Sequence, residues 1–181
     1  MLLTTINQPK IQTYEEILTT SGTWSKPAGV PDTATLTVIC VGGGGNGGKA
    51  NRPSVGISWG GSGGGGGAAL SIYKVTDLAS VSYTVGAAGG NTQFLSNIGY
   101  AGTAGANATN SNTGAHGVGG YGVGLFVSYG QTPTEYRVNA LAASAGFDGM
   151  QTYGRGGDGS STSAVTPGTQ GAIYLRYEWV E

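Results

Sequence analysis

The chain has 181 residues, of which 37 are glycine and only 9% are charged, and its formal net charge is -1. This composition differs from that of an average enzyme, because an average protein has about 7% glycine and about 25% charged residues. A nucleic-acid partner is not expected, since the sequence has no basic run to neutralise phosphates. Membrane insertion is not expected either, because no window reaches the roughly 18 apolar residues of a membrane span.

The N-terminal residues 1–12 are mostly polar and are interpreted as an arm or docking segment. The remaining residues, 13–181, are expected to form a single glycine-rich domain with a modest core. A chain with so few charges is unusual as a free monomer. We therefore expect a subunit of a larger assembly, with a homotrimer as the predicted state.

Short runs of alternating apolar and polar residues predict β-strands along the chain. In the run 36–41, Leu36, Val38 and Cys40 share one face. Near the C-terminus, Ile173, Leu175, Tyr177 and Trp179 share a face in the same way. Further strands are predicted at 14–18, 23–24, 70–73, 81–85, 92–95, 125–129 and 135–138. No helical period is found, so the predicted fold is all-β.

Glycine follows two of these strands directly, in the runs 42–48 and 86–90, and recurs at 60–67 and 154–159. Glycine loses the most backbone entropy on ordering, so such runs are either mobile or held by close packing that a Cβ would block. Extended helices of the polyproline II kind, with three residues per turn, provide one such packing. The expected fold is thus a β-sandwich of short antiparallel strands, with long glycine-rich loops packed at one end.

The segment from Gly43 to Lys49 satisfies most of the phosphate-loop pattern and follows a strand. The next residue is Ala50, so the hydroxyl that would hold magnesium is missing. Pro53 also prevents the helix whose N-terminus should face the phosphates. A nucleotide site is therefore not predicted, and no cofactor is expected.

Catalytic and metal-binding residues are scarce. His116 is the only histidine and lies in a glycine-rich segment, while Cys40, the only cysteine, lies on the apolar face of a strand. One histidine and one cysteine supply neither a triad nor a metal site. Glu135, Asp148 and Asp158 are the candidate carboxylates for a glycosidase pair, but no spacing favours them.

The order of the glycine-rich segments is more distinctive than any one of them. The set comprises 21–30, 36–48, 60–67, 83–90, 156–159 and 171–177. Together these segments resemble the glycine-rich domain of bacteriophage tail-fibre and tail-tip proteins, over residues 20–90 and 154–178.

The resemblance implies a protein of the virion, made in the host cytoplasm and located at a tail fibre or tail tip. Its implied partners are other virion tail proteins and a bacterial surface receptor, either a polysaccharide or an outer-membrane protein. The leading hypothesis is a non-enzymatic module that contributes to host attachment. The alternatives are an architectural virion protein without a receptor and a hydrolase of surface polysaccharide.

Residues 91–153 depart from the resembled pattern and are interpreted as a variable, loop-rich insertion. Recognition surfaces usually come from connecting segments, and tyrosine offers a large contact area with only two angles to immobilise. The predicted receptor-binding residues are therefore the tyrosines of this segment: Tyr100, Tyr121, Tyr129, Tyr136 and Tyr153.

Overall fold

The computed structural model describes residues 9–51, 58–109, 112–134, 152–159 and 164–181. Within these ranges the fold is all-β, as predicted, with one short 3-10 turn at Val75–Asp77. The strands are β1 (Ile11–Leu18), β2 (Gly22–Trp24), β3 (Thr35–Val41), β4 (Ala68–Lys74), β5 (Val81–Thr84), β6 (Thr92–Phe94), β7 (Asn97–Gly99), β8 (Gly122–Val123), β9 (Phe126–Ser128) and β10 (Ala172–Val180).

The strands form two antiparallel sheets that pack as a sandwich. The first sheet has the order β1-β10-β3-β4-β9 and the second has the order β2-β5-β6-β7-β8. The edge strands β1 and β2 follow one another in the chain, and so do the edge strands β8 and β9. Each side of the sandwich therefore has one edge strand from each sheet.

The main core lies between the two sheets and follows the predicted alternation. Leu36, Val38 and Cys40 of β3 point into it and are fully buried. On the predicted inward face of β10, Ile173, Leu175 and Tyr177 are also fully buried, whereas Trp179 is only partly buried. Phe94 of β6 belongs to the same cluster from the second sheet. Burying one large apolar side chain contributes about 1.5–3 kcal/mol, so this cluster is a principal source of stability.

The long glycine-rich segments all attach to one end of the sandwich. Segment 42–51 follows β3, and segment 58–67 leads into β4. Segments 100–109 and 112–121 extend β7 and β8 in the same direction, because neighbouring strands are antiparallel. We call these packed segments the glycine lattice, which comprises 42–51, 58–67, 86–91, 100–109, 112–121, 129–134, 152–159 and 164–171.

Backbone hydrogen bonds in the glycine lattice recur at every third residue. Segments 42–51 and 58–67 are joined by bonds from Gly42 to Gly67, from Gly45 to Gly64 and from Gly48 to Gly61. Segments 58–67 and 100–109 are joined with the same spacing. A period of three residues is that of a polyproline II helix, which makes no hydrogen bonds within itself. The lattice segments therefore satisfy their polar backbone groups through their neighbours.

The backbones of neighbouring lattice segments approach one another so closely that only glycine fits between them. A Cβ placed on Gly64 would overlap the carbonyl oxygen of Val118, and one placed on Gly45 would overlap that of Thr103. Runs 42–48 and 60–67 contain none of the positive-φ glycines of the described chain. The requirement for glycine in these two runs is thus steric.

Three details differ from the sequence-based expectations. β1 begins at Ile11, so the last residues of the expected arm belong to the first sheet. The segment interpreted as a loop-rich insertion, 91–153, supplies β6 to β9 and the buried side chains of Phe94 and Asn97. The predicted strand at 135–138 lies outside the described residues.

Candidate functional site

Two of the predicted receptor-binding tyrosines form a stacked pair on the glycine lattice. The ring centroids of Tyr100 and Tyr121 are 4.3 Å apart, with an angle of 19° between the ring planes. The backbone fixes this register, because the N–H of Tyr100 donates to the carbonyl of Tyr121 at 2.8 Å. Tyr121 remains 49% exposed, and the adjacent Tyr100 raises its pKa. The pair therefore presents a flat, braced aromatic surface.

Tyr129 lies on the lattice segment next to this pair. It precedes Gly130, whose N–H donates to the carbonyl of Gly120, the residue before Tyr121. Tyr129 is 73% exposed, more than the other predicted tyrosines that the structure describes. The lattice thus places Tyr100, Tyr121 and Tyr129 on adjacent segments.

Tyr153, another of the predicted tyrosines, packs in a different place. Tyr153 is half-buried and packs against a second apolar cluster, on the face of the first sheet that contains Ile39 and Tyr174. Its ring therefore contributes to the packing of this cluster. Tyr136 lies outside the described residues.

Exposed apolar side chains also occur near these tyrosines in the chain. They cluster between residues 118 and 129, around the hairpin that joins β8 to β9. We call this set the apolar strip: Val118, Tyr121, Val123, Leu125, Phe126, Val127 and Tyr129. Leu125, in the bend before β9, and Phe126, in β9, are each 63% exposed, and within the described residues β9 is an edge strand paired with β4 alone. Sequence reasoning found the strand but not its exposure, which depends on strand order.

Hydrogen bonding in segment 42–48 is also unfavourable to a phosphate-binding loop. A phosphate cradle needs free backbone N–H groups. In segment 42–48, the N–H groups of Gly43, Gly44 and Gly47 donate to carbonyls of other lattice segments at 2.8–2.9 Å. The N–H of Lys49 donates to the side chain of Asn107. These donors build the lattice and are not available to a nucleotide.

The single histidine and the single cysteine both have contacts that stabilise the fold. Nδ1 of His116 accepts a hydrogen bond from the N–H of buried Ser62 at 3.1 Å, so this histidine braces the lattice. Cys40 is a buried free thiol, as predicted, and burial raises its pKa to about 12. Of the candidate carboxylates, Asp158 is half-buried, while Glu135 and Asp148 lie outside the described residues.

Among the residues that the structure describes, no group of three or more His, Cys, Asp or Glu side chains is placed to hold a metal ion. No helix in the described ranges is long and apolar enough to cross a membrane. The sequence matches no protein-family model and is not significantly similar to any curated protein.

Proposed function

We propose that the protein is a non-enzymatic component of a bacteriophage tail fibre or tail tip, and that it contributes to recognition of a receptor on the bacterial surface. The tail assignment rests on the resemblance of the ordered glycine-rich segments, and the observation that supports receptor binding is the display of Tyr100, Tyr121 and Tyr129 on adjacent lattice segments. Aromatic faces stack on apolar faces of sugars and on protein side chains, and tyrosine hydroxyls add hydrogen bonds. Both receptor classes, polysaccharide and outer-membrane protein, suit such a surface.

The glycine lattice supports the proposal because it holds the tyrosines in place. Its segments are cross-linked by backbone hydrogen bonds in several directions, for example from Gly120 to Gly65 and from Gly130 to Gly120. A surface that is ordered before binding loses less conformational entropy when its partner arrives. The lattice therefore provides a fixed backbone framework, while its exposed side chains can be substituted without disturbing that framework.

Localisation on the particle is the first test of the proposal. Immunogold labelling of phage particles that carry this protein is expected to mark the distal end of the tail. The labelled purified protein is expected to bind intact host cells without releasing sugar from them. Gold on the head alone, or sugar release by the purified protein, would contradict the proposal.

A second candidate function, an architectural role in the virion, is favoured by the apolar strip. Among the described strands β9 has a partner on one side only, and Leu125, Phe126 and Val127 in or beside it are exposed. Exposed apolar edges of this kind normally pair with another chain or are covered by one. We propose that the strip contacts another tail protein or other copies of this chain in a homotrimer.

Light scattering coupled to size-exclusion chromatography tests the trimer. A trimer at micromolar concentration is the expected result, and Phe126→Lys is expected to reduce the mass to that of a monomer. Asp77→Lys, a change of charge at an exposed residue of the turn Val75–Asp77 outside the strip, serves as the control and leaves the mass unchanged. A wild-type monomer at these concentrations would exclude the homotrimer.

A further inference from the structure

A cleft lies on the opposite side of the sandwich from the apolar strip, between the edge strands β1 and β2. Its volume is about 260 Å³. Its walls are contributed by β1, β2, the residues after β2, and β5: Tyr14, Glu16, Leu18, Thr23, Trp24, Ser25, Pro27 and Tyr83. Pockets for drug-sized ligands occupy roughly 300–1,000 Å³, so this cleft suits a smaller molecule.

The aromatic walls of the cleft are held by rings of the core. Tyr14 packs against Tyr177, with centroids 5.5 Å apart, and Tyr83 stacks on Phe94 at 6.4 Å. Trp24 meets Phe94 edge to face at 6.1 Å. Each of the three aromatic residues in the cleft is thus braced by a fully buried ring. The ring positions are set before any ligand arrives, which lowers the entropic cost of binding.

One carboxylate in the cleft is also held in place. Glu16 accepts a hydrogen bond from the hydroxyl of Tyr177 at 2.9 Å. The Tyr177 hydroxyl accepts in turn from the indole N–H of Trp24 at 2.6 Å. Burial, assisted by the Glu16 carboxylate, raises the pKa of Tyr177, so its hydroxyl keeps its proton and continues to donate. This arrangement fixes one carboxylate oxygen and leaves the second one to accept from a ligand.

The mouth of the cleft adds two hydroxyl groups, those of Thr23 and Ser25. Both residues are exposed, and within the described part of the chain neither side chain makes a hydrogen bond. A hydroxyl donates one hydrogen bond and accepts two, whereas the carboxylate of Glu16 only accepts. The cleft therefore combines aromatic faces with several polar groups of mixed character.

We propose that this cleft binds a single six-membered ring of a neutral sugar. Such a ring has an apolar face for Tyr14 or Tyr83 and several hydroxyls to pair with Glu16, Thr23 and Ser25. A quaternary ammonium ion, the other usual ligand of aromatic walls with a carboxylate, has no donors or acceptors and would leave both hydroxyls unmatched. The site is separate from the tyrosines of the glycine lattice, and its existence does not depend on the virion proposal.

Nuclear magnetic resonance titration of the isolated protein with methyl glycosides of glucose, galactose and N-acetylglucosamine tests the site. At least one glycoside is expected to bind saturably and to shift the amide signals of Tyr14, Thr23, Ser25 and Tyr83. Tyr14→Ala is expected to weaken binding by about tenfold, as removal of a contact anchor typically does. The matched control is Tyr129→Ala, which removes an exposed tyrosine from the other surface and is expected to leave sugar binding unchanged.

Several results would overturn the inference. These are no saturable shift with any of the three glycosides, unchanged affinity in a folded Tyr14→Ala protein, and tighter binding of tetramethylammonium than of the sugars. If Tyr14→Ala does not fold, Glu16→Gln provides the second variant. It keeps an acceptor oxygen but loses the charge, and weakening of less than twofold would exclude a role for the carboxylate. Gold label on the phage head alone, together with intact glycoside binding by the purified protein, would refute the virion proposal and leave this inference standing.

Discussion

The indole N–H of Trp24 donates a hydrogen bond of 2.6 Å to the hydroxyl of Tyr177, and both side chains are buried. Trp24 belongs to β2 of the second sheet and Tyr177 to β10 of the first. The bond therefore joins the two sheets within an otherwise apolar cluster. The Tyr177 hydroxyl in turn donates a hydrogen bond to the carboxylate of Glu16 in β1. These two hydrogen bonds therefore also fix the position of Glu16 in the wall of the cleft.

Tyr177→Phe is predicted to destabilise the fold. The substitution keeps the ring but leaves the indole N–H of Trp24 buried without its acceptor, which costs about 1–3 kcal/mol. Urea unfolding is expected to show a lower midpoint with an unchanged slope. Tyr129→Phe, which removes a hydroxyl from an exposed ring, is the matched control. Equal midpoints for the two variants would show that the bond contributes nothing to stability.

Gly64→Val is predicted to disrupt the glycine lattice. Its Cβ would overlap the carbonyl of Val118, and the neighbour is backbone, which cannot rotate away. We expect a loss of several kcal/mol, at the upper end of the range of roughly 0.5–3 kcal/mol that most single substitutions cost. Ala104→Val places added methyl groups on an exposed lattice residue and is expected to change stability little. Equal melting temperatures for both variants would mean that the lattice is not tightly packed in solution.

Cys40 is predicted to make the fold sensitive to alkali. Burial raises the pKa of its thiol from 9.0 to about 12, so the folded state keeps the proton at a pH where the unfolded state has released it. This contribution to stability is complete below pH 9 and is lost as the pH rises through about 12. The free energy of unfolding should fall by about 1.4 kcal/mol per pH unit within that window.

Urea unfolding of the wild type and of Cys40→Ala between pH 8 and pH 10.5 measures this effect. The buried tyrosines titrate in both proteins, so the difference between the two slopes isolates the thiol. Cys40→Ala is expected to start from a lower stability, because it leaves a cavity, but to lose less of it with rising pH. Parallel curves would show that the thiol does not contribute.

The strands of the core were predictable from the sequence because alternate residues of a strand face the same side of the sheet. Leu36, Val38 and Cys40 alternate strictly, and so do the inward residues of β10. The strands β7 and β8 were not predicted, since they are short and contain Asn97, Gly99 and Gly122. Pairing with neighbouring strands forms them, and a local pattern does not reveal such pairing.

Asn97 shows how tertiary contacts override composition. It is fully buried, and its side-chain amide donates to the carbonyls of Val38 and Ala69 at 3.1 and 3.0 Å. Its side-chain oxygen accepts from Ser71 at 3.0 Å. An asparagine in a glycine-rich stretch indicates a turn by its type alone. Only the assembled sheets supply the partners that make its burial favourable.

The residues of the candidate site were predictable only in part, because their grouping depends on tertiary contacts. The sequence pointed to the tyrosines beside glycine but could not indicate which of them would meet. The stacking of Tyr100 on Tyr121 follows from lattice register, and the packing of Tyr153 follows from an apolar cluster formed by distant strands. The cleft beside Tyr14 was not predicted, because its residues come from strands whose proximity depends on sheet order.

The last prediction tests the tyrosine surface in phage attachment. Tyr121→Ala combined with Tyr129→Ala is expected to leave the fold intact, because both side chains are exposed. Removal of one interface anchor typically costs about 1–4 kcal/mol, which lowers affinity by roughly tenfold to a thousandfold. Particles that carry the double substitution should therefore adsorb to host cells far more slowly than the wild type. Val180→Ala, a change at an exposed apolar residue of β10, controls for nonspecific effects. Adsorption at the wild-type rate by the double variant would place the receptor surface elsewhere.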